Sequence, residues 1–289
     1  MNRIIETDRF SNADLNICWV IALHAEARPI IATFDMKIIS NNLLFPVYIN
    51  SKNGHALVVS GIGSIRSAAA ATYLKTFLKI NEYAAWINVG IAGYFKEPTG
   101  EFFQILKVLN QDTGEAFFPG LRLSKFVAAS SLLTVGKPEV NFSDDTLYDM
   151  EAAGFCETVP LFSCNELTYV FKVVSDTPGK NKSLLTKTVI TELIEKNIVK
   201  LSKLVGAIGV LVEDEKERLS IPRELVTITE NCHFTESNTH KLRQVYRKWK
   251  LVFPHRSLND VNYPLTSAKA LIARFESELL DEVNNWKLM

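Results

Sequence analysis

The chain is 289 residues long, with 32 Lys plus Arg against 32 Asp plus Glu. That length is enough to bury a substantial core, and the balanced charge excludes a global field that would draw the protein to nucleic acid or to an anionic membrane. No apolar run reaches the roughly 20 residues of a membrane span, and the polar segment 1–14 lacks the pattern of a secretory signal. Four cysteines, Cys18, Cys156, Cys164 and Cys232, are scattered without C-x-x-C spacing, so no metal is indicated and a reducing cytoplasm is the expected compartment.

In chain order, Ile17-Cys18-Trp19-Val20-Ile21-Ala22-Leu23 is apolar throughout, as a parallel strand covered on both faces should be. It leads to His24-Ala25-Glu26-Ala27-Arg28-Pro29, which opens a helix over 26–35. Glu26 therefore falls at a strand's carboxyl end, where open α/β sheets place ligands, although the helix dipole alone also favours a carboxylate in a first turn. Residues 43–50 and 55–60 are expected to pair as a hairpin turned at Asn53-Gly54. The second strand runs into Gly61-Ile62-Gly63 and a helix over 64–80, and a strand over 85–89 ends in Gly90-Ile91-Ala92-Gly93. Glycines that follow a strand let backbone N–H groups approach an anionic or hydroxyl-rich ligand, while a tight turn with no ligand accounts for either one alone. The G-x-G-x-x-G dinucleotide fingerprint is not met, because Ile65 and Arg66 follow.

Further strands are expected near 102–109 and 124–129. A small-residue helix over 147–157 then carries Tyr148-Asp149-Met150-Glu151-Ala152-Ala153-Gly154, and a buried strand over 169–174 runs out at Ser175-Asp176. Two acids delivered from element ends suit chemistry on a sugar: one holds ribose hydroxyls while the other protonates a leaving base. Residues 186–208 read as a long amphipathic helix, with Val189, Ile190, Leu193, Ile194, Ile198, Leu201, Leu204 and Val205 in one stripe. The alternation of strands and helices gives an α/β fold with a mixed sheet.

Residues 211–289 open with the charged, turn-like Glu213-Asp214-Glu215-Lys216-Glu217-Arg218 and continue through helices at 236–251 and 266–286. Within them, Lys241, Arg243, Arg247, Lys248, Lys250 and Arg256 interleave with Tyr246, Trp249 and Phe253. Such a pattern can grip a nucleic acid strand, but acids elsewhere in the segment balance it, and docking on the core or on a second subunit is favoured over nucleic acid. Cys232 and His233 have no partner pair that would complete a metal site.

Five of these segments, in order, resemble the nucleoside phosphorylase superfamily and, within it, the methylthioadenosine/S-adenosylhomocysteine nucleosidases. Ala22-Leu23-His24-Ala25-Glu26 is similar to the family's first loop, Ser60-Gly61-Ile62-Gly63 to its second and Ile87-Asn88-Val89-Gly90-Ile91-Ala92-Gly93 to its third. Asp149-Met150-Glu151-Ala152 is similar to its ribose-binding segment, and Val174-Ser175-Asp176 to its base-protonating segment. The resemblance implies a nucleoside phosphorylase-like three-layer catalytic domain over 1–210, and it leaves 211–289 as a helical C-terminal extension. It also implies an enzyme, a purine nucleosidase without a cofactor, whose partners are a small-molecule nucleoside and, as a homodimer, a second copy of the chain. Glu26 would orient the attacking water, Asp176 would donate a proton to the purine N7 with Ser175 assisting, and Met150 and Glu151 would contact the ribose. Gly63, Ile91, Gly93 and Lys172 complete the implied substrate-binding set. Breaking an N-glycosidic bond creates an oxocarbenium-like sugar and an anionic base, which such a set stabilises.

The chain departs from the family at several positions. Ile91 stands where the nucleosidases usually carry a serine, Tyr94 where a second glycine is usual, and Lys172 where an arginine is frequent. Ser131-Leu132-Leu133-Thr134-Val135-Gly136-Lys137-Pro138 lacks the base-stacking phenylalanine loop, for which Phe142 is the replacement at hand. These departures keep open a nucleoside-binding protein without turnover. A phosphorylase needs arginines for phosphate; the third loop has none before its glycines, and Arg28 and Arg66 read as surface or salt-bridge residues. Water is therefore the favoured nucleophile, with a phosphate-dependent phosphorylase as the alternative.

Overall fold

The computed structural model describes residues 14–40, 43–96, 98–138, 145–177, 185–220, 225–226, 234–257 and 267–287. The chain divides into two compact units, residues 1–218 and 219–289. The strands of the first are β1 (Ile17–Ile21), β2 (Lys37–Ser40), β3 (Val47–Asn50), β4 (His55–Val59), β5 (Ala85–Tyr94), β6 (Phe102–Asn110), β7 (Ala116–Phe117), β8 (Ala128–Thr134), β9 (Leu147–Asp149) and β10 (Thr168–Asp176). Its helices are α1 (His24–Thr33), α2 (Ser64–Phe77), α3 (Ala152–Thr158) and α4 (Lys187–Leu219).

All ten strands belong to one mixed sheet, as the alternating sequence pattern requires. β1 lies between β4 and β5, parallel to both, and β5 continues parallel to β10. The hairpin of β3 and β4 is antiparallel, with Asn50 opposite His55 and Gly54 in a left-handed conformation at φ 69°. β5 is the pivot. Its first half pairs with β1, its end at Gly93 and Tyr94 pairs with β9, and β10 runs along its other side. Since β10 pairs β6, β6 pairs β8 and β8 pairs β9, these strands close a ring on β5, while β1, β4, β3 and β2 extend from it as an open sheet. Where β5 exchanges β1 for β9, the sheet parts and a crevice opens.

Residues on the inner strands alternate between two apolar layers. Cys18, Val20, Ala56, Val58 and Trp86 face one core with Ala70, Ala71 and Leu74 of α2 and Phe155 of α3. Ile17, Trp19, Ile21, Leu57, Val59 and Ile87 face the other, with Ile30 of α1 and Leu193, Ile194, Leu201 and Leu204 of α4. The three-layer arrangement follows from strands apolar on both sides, each side needing its own helical cover. Gly154 sets the approach of α3 to α2: a Cβ there would stand 2.2 Å from the Ser64 carbonyl oxygen.

Several expectations are corrected. The segment Gly90-Ile91-Ala92-Gly93 is not a turn before a helix; β5 runs through it as strand, with neither glycine at positive φ. Residues 147–149 are a short strand, and the helix begins only at Ala152, leaving Glu151 at its N-cap position. The strand expected at 124–129 lies at Ala128–Thr134, so much of the segment read as a shortened loop is β8. The charged run 213–218 is no turn, because α4 continues through it to Leu219.

The second unit contains α5 (Glu236–Val252) and α6 (Ala268–Lys287). Thr235 caps α5 by accepting from the Asn238 N–H. Leu225, Leu242, Val245, Tyr246, Trp249, Leu271, Ile272 and Phe275 form a core of its own. The aromatics of the basic stretch are thereby committed. Tyr246 and Trp249 are buried, the Trp249 indole donates to Glu278, and Arg256 packs over the rings of Trp249 and Phe253. Cys232 and His233 lie outside the described residues, as does Phe142. Among the described residues no helix is long and apolar enough to cross a membrane, and no cluster of His, Cys, Asp or Glu is suited to a metal ion.

Candidate active site

A cavity of about 210 Å³ occupies the crevice at the carboxyl ends of β1, β5 and β10. Its wall includes Glu26, Glu151 and Asp176, three carboxylates that are 125 and 25 residues apart in the chain. Ile91, Gly93, Met150 and Ser175 line it too, so seven of the nine residues singled out from the sequence converge there.

Glu26 enters from the first turn of α1. One carboxylate oxygen accepts from the Leu23 N–H at 2.9 Å, capping the helix from within, and the other accepts from the Ile91 N–H at 2.9 Å. The side chain is held between the ends of two parallel strands and is only 3% exposed. Burial pushes its pKa up to about 7, with the Glu151 charge adding to the rise, while the two N–H bonds and Lys172 oppose it. Gly90 makes this seat available, because a Cβ there would meet the Glu26 carboxylate at 2.9 Å.

Glu151 is fixed from the opposite wall. It accepts from the Gly63 N–H at 2.9 Å and from its neighbour Met150 N–H at 3.3 Å, and the Ser64 hydroxyl donates to the Met150 carbonyl. Gly63, at φ 110°, adopts a backbone only glycine takes readily. Its N–H, expected to meet a ligand, instead orients Glu151, and its neighbour Ile62 supplies the cavity wall. Burial and the nearby Asp149 raise the Glu151 pKa against the pull of Lys172.

Asp176 is the last residue of β10. The pairing of β10 with β5 slips between Val174 and Asp176, a bulge at Ser175 of the kind that re-aims a side chain at a strand's end. The Ser175 hydroxyl lies against both the Ala92 carbonyl and the Asp176 carboxylate. Having one proton, it donates to one of them at a time.

Lys172 is the other departure from the expected set. It is not among the cavity-lining residues and lies behind them, 1% exposed. Its ammonium donates to Asn88 Oδ1 at 2.8 Å and pairs with Asp149 Oδ2 at 2.8 Å. Asp149 also accepts from the Thr134 hydroxyl and the Ala152 N–H, and Asn88 donates to the Val20 carbonyl. Lys172 thus supplies a single buried positive charge that holds its pKa up through Asp149, Glu151 and Glu26, in spite of its burial. Sequence reasoning missed Asn88 and Thr134 and quoted Asp149 only as part of a motif. The available signal was polarity: Asn88 interrupts the apolar run of β5, and Lys172 interrupts the apolar run 169–174 of β10.

The remaining lining is largely apolar: Ala22, Leu23, Val135, Pro138 and Leu185, with Tyr148. Carboxylates together with apolar surface in one cavity suit a ligand with a hydroxylated part and a flat, weakly polar part.

No protein-family model matches the sequence, and neither does any curated protein. Solved structures do match. The 5′-methylthioadenosine nucleosidase of Arabidopsis thaliana aligns over 67% of this chain and 95% of its own, with a TM-score of 0.56 and 20% identity. The Colwellia psychrerythraea methylthioadenosine/S-adenosylhomocysteine nucleosidase, in complex with adenine, aligns over 69% and 96%, with a TM-score of 0.53 and 18% identity. The Helicobacter pylori enzyme, with 5′-methylthioadenosine in the active site of a variant, aligns over 66% and 98%, with a TM-score of 0.55 and 12% identity. The fold is that of the methylthioadenosine/S-adenosylhomocysteine nucleosidases. In this nucleosidase fold the neighbours are matched over nearly their whole length.

Proposed function

We propose that the protein is an enzyme that hydrolyses the N-glycosidic bond of a purine nucleoside. The observation that carries this reading is the meeting of Glu26, Glu151 and Asp176 in one cavity of a nucleosidase fold. Water bound beside Glu26 attacks C1′, with Glu26 accepting its proton. Glu151, oriented by Gly63 and Met150, accepts hydrogen bonds from the ribose hydroxyls. Asp176, steadied by Ser175, is the general acid that gives a proton to the purine N7 as the bond to carbon breaks. The carboxylates stand beside the sugar as it gains oxocarbenium character, and a low-dielectric seat strengthens that attraction. Ile91 supports this arrangement through its backbone N–H, which the residue type at that position does not alter. We assign residues 1–218 to this activity and infer a homodimer, for which the exposed Phe118, Leu121 and Phe126 offer apolar surface.

The test is base release from methylthioadenosine, S-adenosylhomocysteine, adenosine and inosine, with and without phosphate, in wild type and Asp176→Asn. Phosphate-independent release that falls by about 10²–10⁴-fold in the variant is the expected result. Release that requires phosphate would make the protein a phosphorylase. Tight nucleoside binding without any base release would leave a binding protein.

A further inference from the structure

A second cavity, of about 610 Å³, adjoins the first and shares Ala22 and Leu23 with it. The two differ in charge. The first is lined by four carboxylates, Glu26, Asp149, Glu151 and Asp176, whereas the second carries Arg28, Arg66 and Lys187 and, among the described residues, no carboxylate at all. Each cation comes from the opening turns of a different helix: Arg28 from α1, Arg66 from α2 and Lys187 from α4. The Thr191 hydroxyl bonds the Ala25 carbonyl at 2.9 Å, which holds the first turns of α4 and α1 side by side. The Arg66 side chain lies back over Gly61, close enough that a Cβ on that glycine would meet it at 2.9 Å. Among the described residues, none of the three cations has a carboxylate partner, although all three are exposed and acids are as numerous as bases in the chain.

We propose that this second cavity binds the phosphate of a substrate that is a purine nucleoside 5′-phosphate. The inference rests on the nucleosidase reading of the first cavity. A nucleoside with its hydroxyls on Glu151 and its base beside Asp176 has one substituent left to direct elsewhere, the 5′ carbon. The ribose-holding wall runs directly into the second cavity, since Ile62 lines the first, Gly61 lines the second, and the next N–H along orients Glu151. Two guanidiniums with an ammonium match the charge of about −2 and the three acceptor oxygens of a phosphomonoester better than they match a single carboxylate. The acids of the first cavity would repel such an anion, so the division of charge between the cavities also fixes which end of the ligand goes where.

The experiment is equilibrium titration of the full chain with adenosine 5′-monophosphate, adenosine, S-adenosylhomocysteine and inorganic phosphate, alongside base-release assays of the same compounds. The monophosphate is expected to bind about tenfold or more tightly than adenosine, and added salt should erode that advantage while leaving adenosine binding unmoved. In Arg28→Gln and Arg66→Gln the ratio of the two affinities should fall toward one. Equal binding of the two ligands by wild type, or an undiminished ratio in both variants, would overturn the proposal. Tighter binding of S-adenosylhomocysteine would overturn it in favour of a carboxylate tail, and base release that needs inorganic phosphate would assign the cations to the nucleophile instead. Tight monophosphate binding without base release would sink the nucleosidase reading and the word substrate with it, leaving the second cavity as a phosphate site for a bound nucleotide. Adenosine hydrolysis without monophosphate preference would do the reverse.

Discussion

Replacing Glu26 with glutamine tests whether that side chain is as buried as the structure shows. Burial raises its pKa from the ordinary 4.5 to about 7, so the folded protein holds a proton that the unfolded chain releases. Between those two values a rising pH favours unfolding. Above 7 both states are ionised and the penalty is constant, and below 4.5 both are protonated and it vanishes. Integrated from pH 5 to pH 8, this amounts to about 2.5 kcal/mol of stability lost by wild type through this one group. Glu26→Gln should not lose it. Its amide oxygen still accepts from Ile91, but its NH₂ meets the Leu23 N–H donor to donor, a pH-independent cost of about 1–3 kcal/mol. Urea denaturation at a series of pH values should therefore show the stability of wild type relative to Glu26→Gln dropping by about 2.5 kcal/mol as pH rises from 5 to 8, enough for the two curves to meet or cross. Parallel profiles for the two proteins would refute a Glu26 whose burial raises its pKa. In the activity assay, kcat/KM of wild type should rise along a limb centred near pH 7 as Glu26 ionises, and that limb should be absent from the variant's residual activity.

Other sites give sharper single outcomes. Lys172→Met removes the cation that pairs with Asp149 and leaves that carboxylate buried beside Glu151, so a loss of about 3–5 kcal/mol is expected by denaturation, with Lys172→Arg losing less. A variant as stable as wild type would show that water reaches the network. Glu151→Gln keeps an acceptor for the Gly63 N–H but loses the charge, and the preference for ribosides over 2′- and 3′-deoxy analogues should shrink by about tenfold, read as a ratio of kcat/KM. Gly154→Ala drives a methyl group into the Ser64 carbonyl at 2.2 Å; since backbone must move, the melting temperature should drop by several degrees even though alanine is the better helix former.

Much of the sheet was legible because its strands are apolar on both faces and end in glycine or acid. The residues of β1, β4 and β10 declare themselves in that way, and Glu26, Glu151 and Asp176 were legible as acids at the ends of such runs. What escaped has physical reasons. β9 is three residues long, too short to show a period, and it exists because β5 and β8 both offer it partners. The helix beyond residue 210 was hidden by charge: the run from Glu213 to Arg218 looks like solvated chain, yet these residues are good helix formers and Lys216 pairs with Asp14. Lys172 and Gly63 looked like ligand contacts because their partners, Asp149 and Glu151, are 23 and 88 residues away, a proximity that only the closed ring of strands produces.

That ring also sets an order in time. β10 is the last of the described strands to leave the ribosome, yet it inserts between β5 and β6, both made some 60 to 90 residues earlier. Until it arrives, β5 has one long edge open, Asp149 has no counter-ion, and Glu26 lacks the finished pocket that raises its pKa. The nascent chain therefore carries a half-built sheet with an unpaired apolar edge, the form in which strands most readily seek the wrong neighbour. Closure by a late central strand makes long-range pairing the step that completes both the ring and the cavity. A chain truncated before residue 168 would have no weakened version of the site, because the strand that supplies its acid is the same strand that shuts the ring.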